Sequence, residues 1–127
     1  MCGLRTFPVV ACLVLTPLAG AGQTLPDHES PLYRFAQCAG RLSALMEHQW
    51  LTDPPASDRT EVLRARMLDL VEAASAPAEA PLALSLRIEA KHAHAALLRA
   101  ASFGSNKAAR RQALRLERDC AAILGLA

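Results

Sequence analysis

Glu89-Ala-Lys-His92-Ala-His94 holds the residues best suited to chemistry, with a carboxylate and an imidazole three positions apart in a segment of helical period. Glu and His at that spacing form half of the ligand set of ferritin-like di-metal sites, which need a second such pair and two further carboxylates on facing helices. The second pair is missing. Glu47 and His48 are adjacent and so point about 100° apart on a helix, and the other two helical segments contain no histidine. His92 and His94 are two apart, nearly opposite on a helix, and cannot share one ion. Both are expected as solvated side chains beside an apolar stripe.

A haem held by two side chains fares no better. His48 lies 17 residues past Pro31 and His92 lies 11 past Pro81, a depth difference of about 9 Å at helical rise if the two helices run parallel. Met46 at a core position reads as packing. Nucleophilic catalysis lacks a Ser, Thr or Cys in a recognisable elbow, and the carboxylates Glu47, Glu61, Asp69, Glu72 and Glu89 all have ordinary places on wet helix faces. The expectation is a protein that is not an enzyme and carries no cofactor or metal.

Arg111, Arg115 and Arg118 recur at four and three, a basic stripe diluted by Glu117 and Asp119. Such a stripe is a solvated face or an electrostatic contact for an acidic partner or an anionic membrane surface. Nucleic acid is not expected, because the whole chain carries only 14 basic against 12 acidic residues, a formal charge of +2. Aromatic stacking surfaces are equally scarce.

These side chains need elements to hold them. The chain opens with Arg5, an apolar run from Thr6 to Leu18 and the small-residue exit Ala19-Gly20-Ala21, the pattern of a secretory signal cleaved after Ala21. The run is too short to span a bilayer. An alternative is a lipoprotein signal with Cys12 acylated. Residues 1–21 are therefore read as the signal, 22–30 as a mobile leader, and 31–127 as one domain, destined for the periplasm or the medium.

Of the four cysteines, Cys2 and Cys12 depart with the signal and leave Cys38 and Cys120, 82 positions apart. An even pair in a small exported chain is expected to form a disulfide. Their separation removes any CxxC redox or haem-attachment motif.

Helical periodicity recurs four times. Ser30-Pro31 supplies a cap and a first-turn proline, and Phe35, Cys38, Ala39, Leu42, Leu45 and Met46 follow at three and four, up to Leu51 and the break at Asp53-Pro54-Pro55. Asp58 and Glu61 read as a capping box opening a second helix with Leu63, Met67, Leu70, Val71 and Ala74 on one face. After a stiff Pro/Ala connector, Ala76 to Pro81, a third helix from Leu82 to Ser102 shows the stripe Leu82, Leu86, Ala90, Ala93, Leu97, Ala101. Gly104 stops it, Ser105 or Asn106 caps the next, and a fourth helix from Lys107 to Leu124 turns Ala109, Ala113, Leu116, Cys120 and Ile123 inward.

Four such helices with connections of about four to eight residues predict an all-α, up-down-up-down four-helix bundle. In that topology the start of the first helix lies beside the end of the fourth, and Cys38 and Cys120 each sit seven residues from the same end.

Tyr33-Arg-Phe-Ala-Gln-Cys-Ala-Gly-Arg-Leu-Ser-Ala-Leu-Met-Glu-His-Gln-Trp-Leu51 resembles the opening of small exported helical proteins of alphaproteobacteria that have no assigned activity. The resemblance implies export and helices and transfers no function. Within the stretch, Arg41, Glu47, His48 and Trp50 join Arg111, Arg115 and Arg118 as the expected partner surface, with Trp50 expected to cap the bundle end. The expected function is that of a non-enzymatic periplasmic protein binding an unidentified protein partner, as an accessory or assembly factor does. The alternatives are a cofactor or metal carrier on the bundle, and a small periplasmic chaperone or enzyme antagonist.

Overall fold

The computed structural model describes residues 27–126, so the signal segment, its exit at Ala21 and Cys12 lie outside the described residues. Four helices account for almost all of the described chain: α1 Pro31–Thr52, α2 Pro54–Ala74, α3 Ala80–Phe103 and α4 Lys107–Ile123. They alternate in direction as an up-down-up-down bundle.

α1 starts where Ser30 Oγ accepts the Tyr33 N–H at 3.2 Å, with Pro31 in the first turn. It ends without a loop. Asp53 donates its N–H to the Gln49 carbonyl of α1 and accepts the Ala56 N–H of α2 on Oδ1. Pro54 and Pro55 then fill the first two positions of α2, where a missing N–H costs nothing. This corrects two expectations: the first connection is one residue long, and the second helix begins at Pro54 rather than behind an Asp58–Glu61 box. A proline pair breaks the helix it follows but opens the next equally well.

The Pro/Ala connector also winds up early, as a short 3₁₀ turn, Pro77–Glu79, running directly into α3. α3 ends at Gly104, yet the left-handed residue there is Ser105, φ 51°. Asn106 Oδ1 accepts the Ala109 N–H and caps α4. At the far end of α4, Gly125, φ 73°, lets the Leu126 N–H return to the Ala121 carbonyl.

α1 is the hub. It packs along α2 and α3, while α4 lies chiefly against α3 and meets α1 at few places. Hydrogen bonds fix the antiparallel register of α1 and α2: Arg64 Nε donates to Ser43 Oγ at 2.9 Å, Ser57 Oγ to the Met46 carbonyl at 2.9 Å and Thr60 Oγ1 to Gln49 Oε1 at 2.6 Å. α1 and α3 run parallel and very close. A Cβ on Gly40 would run into the Arg87 carbonyl and stand 3.0 Å from Ala90 Cβ.

The main core gathers Leu32, Ala36, Ala39, Leu42, Met67, Val71, Ala83 and Leu86 around Cys38 and Cys120. A smaller cluster, Ala44, Leu98 and Ala113, serves the other end. The buried face of α3 is Ala83, Leu86, Ala90, His94 and Leu98, which corrects the expected stripe. Leu82 and Ala93 are exposed and Leu97 and Ala101 half-buried. Alanines surround this helix, so neighbouring rows look equally apolar and the packing partners decide which row turns inward.

Cys38 and Cys120 are joined, with S–S 2.07 Å and Cα–Cα 5.4 Å. Closing a loop of this length stabilises the folded chain by about 4 kcal/mol in the chain-entropy model. Replacement of Cys120 by Ala is expected to lower unfolding free energy by about 2–5 kcal/mol, read by urea titration. Gly40→Ala is expected to cost about 1–3 kcal/mol despite alanine's better helix propensity, because the obstruction is backbone. A midpoint unchanged or raised in urea would contradict the close α1–α3 contact.

Candidate functional site

The residues singled out for a partner surface fall into separate places. Arg41 lies midway along α1, one turn past Cys38. Its Nη2 donates to Gln37 Oε1 at 2.7 Å and its Nη1 stands 4.0 Å from Cys120 Sγ. The guanidinium is half-buried, and no carboxylate lies within ion-pairing distance of it among the described residues. Burial pushes its pKa down, a shift opposed by the charge of Asp119 and by Tyr33.

Glu47 faces α3 and pairs with Lys91 Nζ at 2.6 Å, both ends exposed. Such a pair contributes less than about 1 kcal/mol. His48 Nε2 meets Ser102 Oγ at 3.1 Å, a contact that sets the ends of α1 and α3 side by side. Two residues further, Trp50 is 72% exposed, beside Leu51 at 88%, and Phe103 at the end of α3 is 81% exposed. Trp50 therefore does not cap the bundle. The expectation assumed a core continuing to this end, whereas the cluster beneath it is built on only Ala44, Leu98 and Ala113.

Arg111, Arg115 and Arg118 are exposed along α4. Arg115 donates to Gln112, and none of the three is ion-paired to a carboxylate among the described residues. Leu114, also exposed, sits within this stripe.

His94 overturns the expectation of a solvated side chain. It is 1% exposed, on the inner row of α3, with Nε2 3.1 Å from Glu117 Oε1 on α4 and Nδ1 without a partner. The pair ties α3 to α4 one turn past Ala113, which packs in the small cluster with Leu98. Glu89 and His92 remain exposed. Among the described residues, no group of three or more His, Cys, Asp or Glu side chains is placed to hold a metal ion.

Sequence reasoning missed the His94–Glu117 pair, although the spacing Leu86, Ala90, His94, Leu98 was there to be read as a second helical row. It also missed Leu51 and Phe103. Two large apolar residues in the last turns before helix breaks, ahead of Asp53 and Gly104, were the available signal.

The fold and surfaces define a disulfide-bonded helical bundle with a polar pocket at one end, exposed aromatics at the other and a basic outer helix. No protein-family model, curated protein or solved structure matches the chain.

Replacing Glu117 by Ala leaves the buried imidazole without the carboxylate that accepts from its Nε2. This is expected to destabilise the protein by about 1–3 kcal/mol, measured by urea unfolding near neutral pH, whereas Glu89→Ala on the exposed side of the same helix pair should change stability by under about 0.5 kcal/mol.

Proposed function

We propose that this chain is an exported, non-enzymatic helical module that binds another protein through the end of the bundle carrying Trp50, Leu51 and Phe103. The observation that carries the reading is the exposure of these three side chains. Each aromatic presents a large apolar surface to water, and large apolar side chains exposed at the same end of a bundle are a common mark of a docking surface. Tryptophan in particular is enriched among residues that dominate interface energy.

The parallel course of α1 and α3 supports the same reading. Both helices terminate here, so the side chains ride on two helix ends held side by side by the His48–Ser102 contact. A surface held in place before binding loses little entropy when a partner arrives. Export fits the disulfide, since an oxidising compartment preserves it. The role is that of an accessory or assembly factor.

A photo-crosslinking side chain placed at Leu51 in cells producing the protein is expected to yield one discrete protein adduct. The same probe at Ala96, exposed on the flank of α3, should yield none. Trp50→Ala with Phe103→Ala should abolish the adduct while leaving stability within about 0.5 kcal/mol, as substitutions at exposed positions do. Absence of an adduct at Leu51, or one equally strong at Ala96, would overturn the reading.

A further inference from the structure

We propose that the pocket beside the disulfide binds a carboxylate group, with Arg41 as its principal ligand. The site lies at the opposite end of the bundle from Trp50 and does not rest on the docking reading above. A cavity of about 320 Å³ opens between the first turns of α1 and the last turns of α4, walled by His28, Tyr33, Arg34, Gln37, Arg41 and Asp119.

Arg41 is the unusual member. A guanidinium taken partly out of water normally finds a carboxylate, because burying an unpaired charge is costly. Here Gln37 Oε1 takes one donor, and the neighbour of another is a disulfide sulfur at 4.0 Å, a poor acceptor. The desolvation that lowers the Arg41 pKa is the cost an incoming anion would relieve. The flat fork of a guanidinium matches the two oxygens of a carboxylate.

The other walls narrow the class of ligand. Arg34 supplies a second cation at the rim, while Asp119 faces Arg41 without pairing to it. Asp119 thus acts as a weak internal competitor for the site. Ala122 and Ile123 add a small apolar wall, suited to a short alkyl part. The volume is at the small end of ligand pockets and admits a group of a few carbons. The carboxylate has two sources: a free short-chain organic acid, or the C-terminus of a polypeptide.

The test uses the full chain with its disulfide intact, following the Arg41 side-chain NH resonance by nitrogen-15 NMR. The probes are acetate, propanoate, a short peptide with a free C-terminus and the same peptide amidated. Saturable displacement of the Arg41 signal is expected with Kd of about 1 mM or tighter. Arg41→Gln should weaken binding by about tenfold or more, with Arg41→Lys intermediate because the charge survives without the fork.

Asp119→Asn removes the competitor at an exposed position and should tighten binding about threefold to tenfold without loss of fold. Binding of the free acids but not the peptide assigns the site to small organic acids. A peptide that binds more tightly than acetate, and loses binding on amidation, assigns it to a polypeptide C-terminus. No saturable shift at Arg41 in either the unsubstituted protein or Asp119→Asn, or an unchanged affinity in Arg41→Gln, would overturn the proposal.

Discussion

Gly40 sets α1 against α3 so closely that the Arg87 carbonyl occupies the space a side chain would need. Much of the architecture follows from that contact. Two parallel helices, diagonal in a regular four-helix bundle, here pack directly, and α1 becomes the hub with α2 on one flank and α3 on the other. α4 is left leaning on α3. Its tie to α1 is largely covalent, through Cys38 and Cys120, and its tie to α3 includes the buried His94–Glu117 pair. An apolar cleft of about 240 Å³, lined by residues such as Leu42, Leu63 and Leu114, remains between α2 and α4 as a result.

Close approach requires small side chains, and small side chains bury little apolar area. Apolar burial is worth roughly 25 cal/mol per Å², so an interface built on Ala36, Ala39, Gly40, Ala83 and Ala90 gains less from water than one built on leucines. The larger side chains Leu32, Leu42, Met67, Val71 and Leu86 collect near the disulfide. The opposite end has only a thin cluster. The covalent link therefore reinforces the end already best packed, and the other end is held together more by polar contacts, among them His48 to Ser102 and Thr60 to Gln49.

The helix count, the bundle class and the cysteine pairing were legible because each rests on a strong local signal: caps, prolines, a 3.6-residue period, and two cysteines at equal depth in antiparallel helices. Helix phase was legible where side chains differ in size. On α2, Met67 and Val71 stand out from Arg64, Arg66 and Asp69, and both are buried as their row predicts. On α3 the contrast vanishes among alanines, so Ala93 and His94 exchanged roles. Asp53 shows a different limit. One residue closing α1 and opening α2 reads as a loop when prolines are taken only as breakers.

Arg41 and Trp50 stand nine residues apart on the same helix. At 100° per residue the two side chains leave α1 on opposite sides, about 14 Å apart along its axis. The Arg41 side turns toward α4 and the disulfide, whereas Trp50 leaves the bundle altogether. A single flat interface cannot bury both. The residues grouped by sequence as one surface thus divide into a polar pocket built from α1 and α4 and an apolar end built from α1 and α3. Because α1 contributes to both, their spacing is fixed by helix geometry, and a partner covering the aromatic end leaves the pocket open to solvent.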